Sequence, residues 1–409
     1  MNLKSLLWGC SIVIVPILSG CNPEAFEAQI GAFENSQEPP SEEAPSPSPP
    51  SNPPSGPSTF SRVVSVGYGG RRITSDDGYV WENNQLLVSQ GSAGGDDDDN
   101  LRGVGFGDGL FVAVGGSSLR RVLTSPDGVT WTHQNFGYTG WMGDVAYTNN
   151  IYFAGGGNGI HMIGTRSPET TGGIQWKSYS PYSIQNSDVD HLIGGGSPVY
   201  NTHMRRIAAG NGLFVAVGDS GRRSVTDGSE NNEGRLQWIS HQWSGTVRRD
   251  VAFGNNIFVA VGDSGLREYS TDGIQWNTSN DQQGWAAGCA SIPSGTSFRR
   301  VIWTGSEFVT ISNNSGGQLI IAKSLDGQSW TWHPFSQQLK LIIQFKDEFF
   351  GLNGWSTPTI YRGVETPGID SCGYSIDLIS FSSKDSENQS IWSDSMNIPN
   401  DMVIGDIPL

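Results

Sequence analysis

Five basic residues recur at one register of this chain. Arg102, Arg205, Arg249, Arg299 and Lys340 each stand at the same interval ahead of an aromatic residue in the next apolar stretch, and Gly143 holds the sixth such place. The segment RRDVAFGNNIFVAVGDSG, Arg248 to Gly265, shows the pattern: two arginines, an apolar stretch, an Asn-rich turn, a second apolar stretch and a glycine loop. Guanidinium groups are planar, permanently charged and forked, so several converging on one concavity suit a carboxylate, sulfate or phosphate. Four tryptophans in Gly-rich segments, Trp141, Trp243, Trp285 and Trp355, are expected on the same face, where indole rings suit sugars or protein side chains. Further cations, Arg71 with Arg72, Arg120 with Arg121 and Arg222 with Arg223, are expected there too. The column also has a purely structural reading. An arginine at a strand start can fork onto neighbouring carbonyls, or pair with Asp219 and Asp263 of the repeated GDSG loops.

Other chemistry is thinner. Asp144 and Asp250 occupy equivalent repeat positions and could form a carboxylate pair for glycoside hydrolysis, although equivalence within a repeat is also the mark of a structural role. His133, His241 and His333 share one repeat position and lack metal-ligand spacing. The run Asp96 to Asp99 offers oxygen ligands of the kind calcium takes, and equally reads as a solvated acidic loop. No phosphate loop, CxxC or Ser-His-Asp context occurs, so neither cofactor nor metal is expected. The formal charge of −16 over 409 residues argues against nucleic acid as a partner.

The elements that position these residues repeat along the chain. SDDGYVW (Ser75–Trp81), SPDGVTW (Ser125–Trp131), STDGIQW (Ser270–Trp276) and SLDGQSW (Ser324–Trp330) share a Ser-x-Asp-Gly turn closed by a tryptophan. Degenerate versions end at Trp176, Trp238 and Trp392. Asp-Gly supplies a tight turn with positive φ, and the Ser and Asp side chains bond its backbone. Alternating β-branched and aromatic residues between Gly/Asn turns read as strands, and no helical period appears. These turns resemble the Asp box of sialidase-like β-propellers, also called BNR repeats, one residue short of the usual motif. The resemblance implies an all-β propeller over residues 60–409, each blade a four-stranded antiparallel sheet, and the seven repeat tryptophans from Trp81 to Trp392 set the number of blades at seven. It also implies that the turns lie away from the functional face. Sialidases place an arginine triad, a Tyr–Glu couple and an Asp acid at that face. Arginines are available here, but no Tyr–Glu couple is assignable. The first repeat, from Ser61, lacks an inner strand, so Met402 to Gly405 is expected to return and close the ring, because a propeller must hide its edges.

The N-terminus reads as a targeting segment. Lys4 precedes an apolar run from Leu6 to Leu18, shorter than the roughly 20 residues a membrane span needs. LSGC, Leu18 to Cys21, resembles the lipobox of bacterial lipoproteins. That resemblance implies a signal peptide over 1–20, a lipid on Cys21 and, with Asn22 following, an outer-membrane address. Residues 21–59 include a Pro/Ser/Glu-rich tether with nothing to bury. Cys289 and Cys372 then remain to form a disulfide in an oxidising compartment. The expectation is a monomeric, membrane-tethered, non-catalytic binding propeller for an acidic polysaccharide or protein partner. The alternative is a sialidase-like glycoside hydrolase or lyase.

Overall fold

A computed structural model describes residues 59–87, 99–117, 120–136, 140–179, 191–192, 203–232, 234–243, 245–281, 292–293, 295–313, 319–334, 337–353, 359–366, 375–381 and 399–408, all within the compact unit Pro57–Leu409. Cys21, Asp96 to Asp98, Trp285, Cys289, Trp355, Cys372 and Trp392 lie outside the described residues.

Seven four-stranded antiparallel blades form a ring, the strands labelled A (innermost) to D in each. Blade 2 illustrates the unit: A Leu101–Gly107, B Leu110–Gly115, C Arg120–Ser125 and D Thr132–Phe136. The A strands of blades 3 to 7 are Met142–Thr148, Met204–Gly210, Arg248–Gly254, Ser297–Trp303 and Leu341–Phe345. Blade 1 takes its A strand from the C-terminus. Pro399–Pro408 pairs antiparallel with Thr59–Gly67, placing Val64 opposite Val403 and Phe60 opposite Ile407. The A strands neighbour one another in turn, and the last meets the C-terminal strand. Closure by the chain's end is therefore as the incomplete first repeat requires, and it covers the inner edge of Thr59–Gly67.

B strands such as LFVAVG and IFVAVG are apolar on both faces because blades cover them from both sides; Leu110–Gly115 and Ile257–Gly262 are buried throughout. The Ser-x-Asp-Gly turns join C to D on the face opposite the A-strand starts. In four of them one bonding scheme repeats. Asp127 Oδ1 accepts the Val129 and Thr130 N–H groups at 2.8 and 2.7 Å, and Trp131 Nε1 donates to the Gly128 carbonyl at 2.8 Å. Asp77, Asp272 and Asp326 act likewise, with Trp81, Trp276 and Trp330 closing their turns. The turn glycine is needed twice over. Gly128 has φ +74°, and a Cβ there would sit 2.7 Å from Val64 of the preceding blade.

Blade 7 departs from the repeat. Its D strand is Ser375–Phe381, paired directly with Thr359–Thr366, rather than a strand built around Trp392. The C strand here is eight residues long and takes its partner in continuous register, without a Ser-x-Asp-Gly turn between them.

Candidate functional site

In six of the seven blades the column position is made by a β-bulge at the start of the A strand. Register skips Arg102 between Leu101 and Gly103, Arg205 between Met204 and Arg206, Arg249 between Arg248 and Asp250, and Arg299 between Phe298 and Arg300. Gly143 and Asn400 are skipped in the same way. In blade 7 the Lys340 N–H bonds the Leu352 carbonyl while Leu341 also faces Leu352. A bulge puts an extra residue on one strand and re-aims its side chain. Lys340 and the six bulge residues line one pocket of about 220 Å³ at the channel mouth, together with Trp141 and Arg206.

The mouth is asymmetric. Arg205 and Arg249 are ion-paired to Asp219 and Asp263 in the GDSG loops of their own blades, as the structural reading of the column anticipates. Arg102 donates to the Gly116 carbonyl at 3.2 Å and lies 5.2 Å over the Trp141 ring. The next blade's backbone explains the gap in the column, with the indole behind it: a Cβ on Gly143 would stand 2.4 Å from the Met204 carbonyl and 3.0 Å from Trp141. Lys340 Nζ donates to Asn400 Oδ1 at 2.6 Å. Burial, and then Arg299, Arg300, Arg206 and Arg102, pull the Lys340 ammonium down to about 7. Burial and the neighbouring guanidiniums Arg300, Arg249, Arg206 and Arg205 lower Arg299 to about 10.

One residue deeper, the A strands of blades 1, 3 and 5 carry Asp401, Asp144 and Asp250, while blades 4 and 6 carry Arg206 and Arg300. Asp401 accepts the Val104 N–H at 3.0 Å, Asp144 the Ile207 N–H at 2.8 Å and Asp250 the Val301 N–H at 2.9 Å. Each carboxylate thus ties its blade to the backbone of the next. Arg206 sits among them, 3.8 Å from Asp144, 3.9 Å from Asp250 and 3.9 Å from Asp401. Arg300 pairs with Asp401 at 2.8 Å. Burial raises Asp144 and Asp250 above the usual carboxylate range, against the pull of these guanidiniums. A second cavity of about 180 Å³ lies at this level, between the charged layer and Val104, Ile207, Val301 and Ile342.

Several expected site residues fall elsewhere. The cation pairs at the C-strand starts are not at the pocket. Arg222 is fully buried and bonds Ser224, Arg120 bonds Ser178 of the next blade, Arg121 pairs with Asp99 and Arg223 with Glu268. The C strand is flanked by B and D, so these side chains are spent between and within blades. Trp243 ends the outermost strand of blade 4, 53 % exposed with its ring tilted against His241, and does not line the mouth. Asp99 is buried against Arg121, so that carboxylate is committed to an ion pair. His133, His241 and His333 lie on separate D strands, and no metal-binding group forms among the described residues.

Two contributors escape a sequence reading. Asn400 fills the bulge of blade 1 but belongs to a strand with no following partner in sequence, so no B-strand aromatic marks its register. Arg206 is the second arginine of its pair, one residue past the column, and reaches the mouth from the layer beneath.

No family model matches the chain, and no curated protein matches it. Among solved structures, a putative 6-phosphogluconolactonase from Bacteroides uniformis is similar at 9 % identity, over 85 % of this chain and 99 % of that one, with a TM-score of 0.50. A structure described as YCF48 bound to D1 peptide is similar at 15 % identity, over 73 % of this chain and 89 % of that one, with a TM-score of 0.47. Likeness at this level is a likeness of fold, and the chain is a seven-bladed β-propeller.

Proposed function

We propose that this propeller is a non-catalytic binding module, tethered to the outer membrane through a lipid on Cys21, that holds the anionic group of a glycan at its channel mouth. The observation that carries the reading is the bulge column. Five of its seven positions are cationic, all line one pocket, and no acidic residue is among the described lining residues. Trp141, pinned by Arg102 and backed by His203 at 5.2 Å, offers an indole wall beside those donors. A hydrolase at this mouth would need a carboxylate pair facing the substrate. Asp144 and Asp250 lie beneath the mouth, each bonded to a neighbouring backbone N–H with Arg206 between them, which favours scaffolding over acid–base work.

The test is a panel of acidic and neutral oligosaccharides and acidic peptides titrated against the full chain, with product formation followed in the same samples. Binding of the acidic members that weakens with salt, without turnover, is the expected result. Turnover would reinstate a glycosidase, and binding of acidic peptides alone would make the partner a protein.

A further inference from the structure

Resting on the anion-binding reading, we infer that the mouth is built for a tetrahedral oxyanion ester, a sulfate or phosphate monoester, in preference to a carboxylate. The donors come from a ring. Arg102 belongs to blade 2, Arg299 to blade 6 and Lys340 to blade 7, with Asn400 of blade 1 between Lys340 and Arg102. Arg205 and Arg249, on blades 4 and 5, approach from the other side, each already sharing its charge with an aspartate. A group entering along the channel axis therefore meets N–H donors on several sides. A terminal –OSO3 or –OPO3 presents three oxygens around its axis and can satisfy donors from three blades together. A carboxylate presents two oxygens in one plane and leaves part of the ring unmet.

Lys340 is the residue on which this preference turns. Asn400 Nδ2 is occupied by the Asn100 side chain and, at 2.7 Å, by the Leu101 carbonyl, so its Oδ1 must face Lys340 and holds the amine at the pocket wall. The charged groups around that amine are Arg299 and Arg300 from blade 6, Arg206 from blade 4 and Arg102 from blade 2. The acids beneath are engaged elsewhere: Asp401 with Arg300 and the Val104 N–H, Asp144 and Asp250 with the next blade's backbone. The amine thus faces guanidiniums, and a ligand oxyanion beside it supplies negative charge that none of the described lining residues provides. A third ligand oxygen is what reaches Lys340 once the guanidiniums have taken the other two.

The experiment uses four ligands that differ at one carbon: galactose 6-sulfate, galactose 6-phosphate, galacturonate and galactose, titrated calorimetrically into the full chain and its Lys340→Gln and Lys340→Arg variants. The esters are expected to bind at least about tenfold more tightly than galacturonate, with galactose weaker still. A phosphate ester tighter than the sulfate identifies charge as the larger contributor, and near-equality identifies shape; both support the inference. Lys340→Gln should bring the ester-to-carboxylate ratio close to one, and Lys340→Arg should keep most of it, with melting curves confirming that both variants fold. Galacturonate matching the esters overturns the tetrahedral preference and leaves anion binding standing. A ratio unmoved in folded Lys340→Gln overturns the role of Lys340. If all four bind alike or not at all, the anion-binding reading itself falls.

Discussion

Asp250 of blade 5 accepts the backbone N–H of Val301 in blade 6 at 2.9 Å, buried at the wall of the channel. Asp144 with Ile207, and Asp401 with Val104, make the same bond at two other seams. These three carboxylates and the two arginines among them form the innermost charged layer. A buried donor left unpaired costs far more than a net hydrogen bond contributes.

Replacing Asp250 with Ala should therefore strand the Val301 N–H and remove a counter-charge from Arg206 and Arg300. A loss of about 3–5 kcal/mol is expected. Urea denaturation of the variant checks it, and a midpoint near that of the parent would show that water replaces the carboxylate without cost.

Lys340 should make stability depend on pH. Its folded-state pKa of about 7 lies below the roughly 10.4 of a solvated lysine. Between those values the unfolded chain holds a proton that the folded chain lacks, so this residue makes stability rise with pH through that window, and its cost is fully present below pH 7. The stability of the parent minus that of Lys340→Met should increase from pH 6.5 to 9.5. A difference flat with pH would place the amine in water.

Ring closure depends on the C-terminal strand. Removing residues 399–409 deletes the partner of Thr59–Gly67 together with Asn400 and Asp401, which brace the mouth. The truncated chain should aggregate or lose its single cooperative transition. Coincident melting curves for the truncated and full chains would mean that another segment fills blade 1.

Two glycines separate backbone strain from packing. Gly128 (φ +74°) would bring a Cβ within 2.7 Å of Val64, whereas Gly265 (φ +73°) has nothing within 4 Å of that position. Gly265→Ala should cost about 1–2 kcal/mol, the left-handed penalty alone. Gly128→Ala should add a further 1–3 kcal/mol for the clash between blades. Equal losses would show that the Val64 side chain moves aside freely.

The repeat determined much of this protein without any three-dimensional information. Ser-x-Asp-Gly turns ending in tryptophan specify hairpins through local bonds that span three residues, and strands buried on both faces leave a continuous apolar signature. A first unit without an inner strand implied the returning C-terminus. The basic column was legible for the same reason, because each member keeps a constant interval to the next strand. What each cation does was decided by tertiary structure. Arg205 and Arg249 pair within their blades, whereas Lys340 faces guanidiniums from blades 2, 4 and 6 that are distant in sequence. The arginines of the C-strand starts look equivalent to the column in composition, yet the sheet buries them because they stand between two strands instead of at the channel edge. Asn400 joins the ring through closure alone. Its neighbours Asn100 and Lys340 are brought to it when the C-terminal strand joins the sheet of the first blade, a contact no local pattern encodes.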